Sequence, residues 1–279
     1  MAVSRSDRAQ ATLIGFIILF GFLVIIYAGF QAYVVPNQNA EVEYNHYQEV
    51  REDMTDLYTE AVSLGMSSKS GQVLVPVDLG TNYPSRLFFI NPPPAAGSIG
   101  TTNRGEISVT FADGSGSTTD LCGGATTAGI TYTPSYSVTE QPEIRYENGL
   151  LYVETAAGEY AMLEQQRVVN ESSNTVRLYR LQGTLQTRSN VGTLPIELTG
   201  TRTYGTTTRE IERVTLPSEL PAATWNDRVL PDDPDITANQ NGSGSVDITF
   251  TGGESYQVQC FTVGLGENPE TNFANATTY

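Results

Sequence analysis

Three patterns of hydrophobic and polar positions succeed one another along the chain. The first is an unbroken apolar run. No charged residue occurs over residues 9–40, and within them Leu13, Ile14, Gly15, Phe16, Ile17, Phe20, Gly21, Phe22, Ile25 and Ile26 belong to an apolar segment that continues to Phe30. A helix needs about 20 apolar residues to cross a bilayer, and residues 11–35 meet that length. A helix satisfies its own backbone polar groups, so apolar side chains all round are tolerated in lipid. Nothing downstream is hydrophobic enough to wrap the segment as a buried core helix. It reads as a transmembrane helix. Arg5 and Arg8 precede it and Glu41 and Glu43 follow it, so the positive-inside rule places the N-terminus in the cytoplasm and the chain after about Pro36 outside.

The second pattern is helical and amphipathic. Pro36 lacks an N–H and disfavours helical geometry at Val35, which predicts a kink or a break. Asn37 or Asn39 can cap a fresh helix, with Glu41 and Glu43 in its first turns. Tyr47, Val50, Met54, Leu57, Ala61 and Leu64 then recur every three or four residues, an apolar stripe on one face. Gly65 suits the C-terminal cap. The stripe covers fewer than three heptads, so packing on the chain's own globular domain is favoured over helix–helix assembly. His46, among polar neighbours, is expected in solvent.

From about Gln72 the period drops to two. Short alternating runs are separated by Gly, Asn, Asp, Ser and Pro, which predicts antiparallel β structure. Residues 106–112 run into Asp113-Gly114. Residues 143–147 turn at Asn148-Gly149 into 150–154. Residues 246–250 turn at Gly252-Gly253 into 256–260. The Asn-Gly turn is the strongest signal, because a type I′ hairpin needs positive φ at both central positions. Further strands are expected at 73–77, 86–90, 175–183 and 210–215. A short helix is expected within 218–230, with Leu220 and Trp225 inward and Pro221 and Pro231 at its ends. Strands with one apolar face bury it most simply against a second sheet. The expected fold is mainly β with a long N-terminal α-helix: a leader (1–9), a transmembrane helix (10–36), an amphipathic stalk helix (37–66) and an extracellular antiparallel β-sandwich (67–279).

Composition adds environment. The 279 residues carry 31 acidic against 15 basic side chains, a formal charge of −16, and Lys69 is the only lysine. Such acidity disfavours nucleic-acid binding. Brine shortens the Debye length to a few Å and screens carboxylate repulsion. The balance resembles that of haloarchaeal proteins, with an ordinary acidic extracellular protein as the alternative.

Candidate chemistry is sparse. One histidine and two cysteines leave too few ligands for a Cys/His zinc site, and no histidine lies downstream for a Ser-His-Asp triad. Asp232, Asp233 and Asp235 offer oxygen ligands for calcium but lack EF-hand spacing, and a solvated acidic loop is the better reading. Ser67-Ser68-Lys69 holds the elements of a Ser-Lys dyad in a stretch too polar to desolvate the lysine. There is no phosphate loop or dinucleotide fingerprint. No cofactor is expected, and an enzyme is not, although a carboxylate-based surface hydrolase stays as a third class. Cys122 and Cys260 would both be extracellular, where a disulfide persists; two separate thiols are the alternative. Asn170, Asn241 and Asn275 head Asn-x-Ser/Thr sequons and are candidate glycosylation sites.

The residues around the apolar run carry a resemblance. Ser4-Arg5-Ser6-Asp7-Arg8-Ala9-Gln10-Ala11-Thr12-Leu13-Ile14-Gly15 resembles the class III signal of archaeal type IV pilins and archaellins. The resemblance implies cleavage between Ala9 and Gln10 by a prepilin peptidase, with the apolar helix kept on the mature protein. The fifth position after that cut is Ile14, where bacterial pilins commonly carry glutamate. An uncleaved signal anchor is the alternative. Val35-Pro36, Gln38-Asn39-Ala40 and Val42-Glu43, with 141–148, are similar to uncharacterised haloarchaeal membrane-anchored proteins with pilin-type N-termini. The resemblance implies membrane lipid and pilin-like subunits as partners. The expected function is a subunit or minor component of a type IV pilus-like surface structure. The alternative is a stand-alone anchored surface protein or adhesin with an unknown surface ligand.

Overall fold

The computed structural model describes all residues except 1–4, 68–69, 87–89, 116–120, 123, 156, 165–167, 201–203, 243 and 267–279, and the side chains of 5–11, 103–104 and 204. The first two sequence patterns merge into one continuous helix. An α-helical part, α1, spans Arg5–Gly29; a π-helical turn spans Phe30–Val34; a second α-helical part, α2, spans Val35–Met66. The 55 residues from Thr12 to Met66 alone extend for about 80 Å at 1.5 Å per residue.

The break expected at Pro36 is absent. The N–H of Val35 reaches back to the carbonyl of Phe30, and Val35 stays helical (φ −62°, ψ −47°). One wide π turn accommodates the ring and the missing donor, so the helix is not interrupted there; of the kink or break expected, the break is excluded. No side-chain cap forms at the start of α2; neither Asn37 nor Asn39 begins a new helix.

Among the described residues the strands are β1 (Gly71–Asp78), β2 (Gly80–Thr81), β3 (Ala95–Glu106), β4 (Ser108–Phe111), β5 (Thr126–Thr133), β6 (Glu143–Glu147), β7 (Leu150–Glu154), β8 (Tyr160–Met162), β9 (Val169–Asn170), β10 (Thr175–Gly183), β11 (Arg188–Asn190), β12 (Thr193–Gly200), β13 (Tyr204–Pro217), β14 (Ile236–Gln240), β15 (Ser245–Phe250) and β16 (Ser255–Gly266). They form two sheets. One runs β1-β12-β16-β13-β15-β14, with β10 also on β16 and β4 on β13; the other runs β11-β3-β5-β6-β7-β8. Pairing is antiparallel except for β10 with β16, which run parallel in register from Thr175↔Gln257 to Gly183↔Leu265.

Two cores result, and α2 belongs to the first. All six residues of the sequence stripe, from Tyr47 to Leu64, are buried, joined by Tyr58 and Val62. They pack between β1, β12 and the end of β16 on one side and β3, β5, β6 and β7 on the other. Gly65 lets the helix approach closely, because a Cβ there would lie 3.1 Å from Cβ of Phe261. The favoured packing of this helix on its own β domain therefore holds, and the helix fills the sandwich rather than standing below it. The second core gathers β4, β13, β14 and β15 around Trp225. Strand β7 sends alternate residues into the two cores, which explains its near-continuous apolar sequence; β10 and β16 give their first buried residues to the second core and their last to the first.

The Asn148-Gly149 hairpin forms, with φ of 49° and 73° and β6 paired to β7. Two other expected hairpins differ. The Asp113-Gly114 turn forms, with Gly114 N–H on the Phe111 carbonyl at 2.9 Å, but the described partner of β4 is β13. Gly252-Gly253 does not fold β16 back on β15. Arg213↔Thr249 and Glu210↔Ser255 show that β15 and β16 run end to end along one edge of β13. The two glycines make a jog between them, and the buried residues on both sides, Val246 to Phe250 and Tyr256 to Cys260, belong to the second core. Strands expected at 73–77, 175–183 and 210–215 fall within β1, β10 and β13. At 86–90, Arg86 and Ile90 lie outside any strand and 87–89 lie outside the described residues. The 218–230 region is helical at Ala222–Thr224 and Trp225–Val229, and Leu220 and Trp225 are fully buried.

Candidate functional site

The feature that joins the two halves of the molecule is a polar strip on the first turns of α2. Val35, Asn39, Glu43 and His46 are spaced as the apolar stripe is and continue it toward the N-terminus, and all four are buried. Three of these four rungs are polar, so each needs a partner.

Glu43 finds its partners in the connection between β5 and β6. Its carboxylate accepts from the backbone N–H of Ser137 at 2.8 Å, of Val138 at 3.0 Å and of Thr139 at 2.6 Å. It also accepts from the Thr139 hydroxyl at 2.9 Å and from the Tyr83 hydroxyl. Successive N–H groups turned inward make an anion-binding nest. Burial pushes the Glu43 pKa up, but the bonds from Tyr83, Thr139 and Ser137 outweigh it, and the group sits below the ordinary carboxylate range. Tyr83 is pushed upward by burial and by its bond to Glu43. The carboxylate's lone pairs are occupied, so Glu43 holds the loop rather than moving a proton.

His46 lies one turn on. Its Nδ1 is 2.7 Å from the Tyr136 hydroxyl, and its ring meets that of Tyr136 edge-on at 5.7 Å. The Tyr132 hydroxyl donates to the Leu79 carbonyl at 3.3 Å. The solvent position expected for His46 is corrected: it is 4% exposed, because the stripe that buries Val50 also turns position 46 inward. Burial lowers its pKa against the fields of Asp78 and Glu49, so the ring is held neutral. Burial raises Tyr132 to about 12.

A second set of bonds ties the preceding turns to the stretch after β2. Arg86 donates to Gln38 Oε1 at 3.0 Å, to Asn39 Oδ1 at 3.0 Å and to Asn91 Oδ1. Gln31 and Ile90 pair twice: Gln31 Nε2 donates to the Ile90 carbonyl at 2.9 Å, and the Ile90 N–H donates to Gln31 Oε1 at 3.3 Å. Farther up the helix, Asp53 accepts from the Asp78 N–H at 2.8 Å. The helix is thus fastened to the β domain along its side from Gln31 to Asp53.

Below that clasp the helix is bare. Leu13, Ile14, Phe16, Ile17, Phe20, Phe22, Ile25 and Ile26 are all exposed, and a Cβ at Gly15 or Gly21 would meet nothing within 4 Å. This segment has a mean hydropathy of 2.7 over its most apolar window, none of it buried, and is long and apolar enough to cross a membrane. Ala9 and Gln10 lie inside α1.

Other candidates disperse over the domain. Cys122 and Cys260 are joined in a disulfide, with Cα atoms 5.3 Å apart, and both are fully buried. Asn170 is exposed and caps a short 3-10 turn by accepting from Ser173 N–H at 3.2 Å. Asn241 is exposed and donates to Asp247 Oδ1 at 3.0 Å; Asn275 and Lys69 lie outside the described residues. Asp233 Oδ1 accepts from the Asp235 N–H at 2.8 Å, and Asp235 Oδ1 accepts from the Thr251 hydroxyl. Asp233 thus bonds within its own loop, and Asp235 to Thr251 at the end of β15. Among the described residues no three His, Cys, Asp or Glu side chains gather as a metal site.

The Glu43 nest escaped sequence reasoning, which placed Glu43 as a first-turn charge. The available signal was its register: position 43 falls on the buried stripe extended by one turn.

No family model matches the chain, and no solved structure does. The chain is similar to an uncharacterized protein of the archaeon Archaeoglobus fulgidus, 26% identical over 193 residues. The match covers 68% of this chain and 32% of that protein, so the chain spans about a third of its relative's length.

Proposed function

We propose that this chain is a cell-surface structural protein, a subunit or minor component of a type IV pilus-like structure. The observation that carries the reading is the division of one helix: its first half is apolar and bare on every side, and its second half is locked inside the β domain. A bare apolar helix needs lipid or other helices around it. In this reading the N-terminus is cytoplasmic, Arg5 and Arg8 hold it there, and the β domain lies outside. A prepilin peptidase cuts between Ala9 and Gln10. Membrane lipid holds the helix first and pilin-like subunits surround it after assembly. The clasp from Gln31 to Asp53 transmits force between helix and domain. Asn170 and Asn241 are positioned to carry glycans. The exposed sheet faces meet an unknown surface ligand, and no catalytic step is involved.

The test is mass spectrometry of the native N-terminus in membranes and in sheared filaments. A mature chain starting at Gln10 and present in the filaments is expected. A chain that keeps residue 9 and stays in membranes overturns the pilus reading and leaves a stand-alone anchored surface protein.

A further inference from the structure

The lower rim of the β domain carries an exposed apolar side chain at an unusual height. Ile90 is 77% exposed, yet its backbone is fixed to Gln31 by two hydrogen bonds. Gln31 is the first polar side chain after the apolar run of 13–30. If that run lies in the hydrocarbon, Ile90 sits where hydrocarbon meets headgroups, beside the helix rather than on it. Tyr33 is 74% exposed on the helix at the same level, and tyrosine is a residue that favours this layer.

Charge supports the placement. The chain carries 31 acidic residues, yet none occurs between Asp7 and Glu41 or between Asp78 and Glu106. The second gap contains the stretch that reaches the helix at Gln31. Its nearest cation, Arg86, is occupied by Gln38, Asn39 and Asn91. The two chain stretches that meet where the helix leaves the apolar segment thus carry no carboxylate in an otherwise acidic protein. A carboxylate there would face desolvation and, over an anionic bilayer, repulsion. The bare helix is continuous with this rim, so the surface that covers one covers the other.

We propose that the rim around Ile90 is a second membrane contact, which inserts into the interfacial layer of the outer leaflet and fixes the depth and tilt of the helix. The proposal rests on the membrane-held form required by the reading above. Its ligand is the lipid surface itself, met by apolar and aromatic side chains and not by a headgroup pocket.

The experiment uses the full chain in vesicles of phosphatidylcholine with phosphatidylglycerol. Single cysteines replace Phe20, Ile90 or Thr237 and carry a fluorophore; the native cysteines are buried and paired. Quenching is measured from lipids brominated at shallow and deep positions and from aqueous iodide. Position 20 should be quenched by deep bromines. Position 90 should be quenched by shallow bromines, with iodide quenching reduced several-fold relative to position 237. If 20 is quenched by lipid and 90 is as open to iodide as 237, the rim contact is wrong and the anchor stands. If 20 is open to iodide as well, the anchor reading fails and the rim contact falls with it. Ile90→Asp should move the shallow-bromine signal of a label at Tyr33 toward water without changing the far-UV circular dichroism of the domain.

Discussion

Glu43 and Thr139 are joined twice: one carboxylate oxygen accepts from the Thr139 N–H at 2.6 Å and from its hydroxyl at 2.9 Å. These residues lie far apart in sequence, on a helix and on a loop between strands. Their union makes α2 part of the β domain at its lower end, where apolar packing gives way to polar groups.

Removing that union should loosen the joint. Glu43→Ala leaves the N–H groups of Ser137, Val138 and Thr139 without their acceptor, and a buried charge-assisted cluster of this kind contributes about 2–4 kcal/mol. Denaturant unfolding of the full chain in detergent should show a loss of that order. Glu43→Gln keeps the volume but presents an amide donor to donors, and should recover less than half of the loss.

Acid should act on the same joint. The pKa of Glu43 in the fold is below its ordinary value of 4.5, so its contribution is fully present above 4.5 and is lost as pH falls through the folded value. His46 is also depressed from 6.5. Below 6.5 the unfolded chain takes up a proton that the folded chain resists, so stability begins to fall there. The melting temperature should decline from about pH 6.5 downward. His46→Gln should remove the first part of that decline and leave the part below pH 4.5.

The disulfide closes a sequence separation of 138 residues. In the chain-entropy model such a loop stabilises by roughly 4–5 kcal/mol. Reduction should lower the melting temperature by many degrees, and the Cys122→Ser, Cys260→Ser double variant should match the reduced protein.

Truncation separates the two halves of the helix. A chain starting at Val35 loses the exposed apolar segment and the two Gln31–Ile90 hydrogen bonds but keeps the Glu43 joint and the core stripe, and it should be soluble and folded without detergent. A chain starting at Gly71 loses Tyr47, Val50, Met54, Leu57 and Tyr58 from the first core. Each is worth about 1.5–3 kcal/mol of burial, together on the order of the whole stability of a domain. That chain should fail to give a cooperative unfolding transition.

Salt tests the environment implied by composition. With a net charge of −16, raising potassium chloride from 0.15 M to 3 M should screen carboxylate repulsion and raise the melting temperature.

The sequence by itself determined the features that depend on near neighbours. An apolar run of this length without charge is a helix that needs apolar surroundings all round. A spacing of three and four from Tyr47 to Leu64 buries one face. Asn148-Gly149 turns a hairpin because both residues reach positive φ. Trp225, between Pro221 and Pro231, and Leu220, just before them, were legible as core residues of a short helical stretch.

Tertiary structure decided the rest, because the deciding partner lies far away in the chain. Pro36 could not announce that one π turn absorbs it. Gly252-Gly253 reads as a hairpin until β13 supplies an edge long enough for β15 and β16 to follow in line. Glu43 and His46 look like solvated charges on a polar stretch. They are buried because helix periodicity turns them toward Tyr83 and residues 136–139, whose N–H and hydroxyl groups converge on them only once two sheets have closed around the helix. A local pattern fixes which face a residue takes; only the assembled fold supplies the donors that make a buried carboxylate stable there.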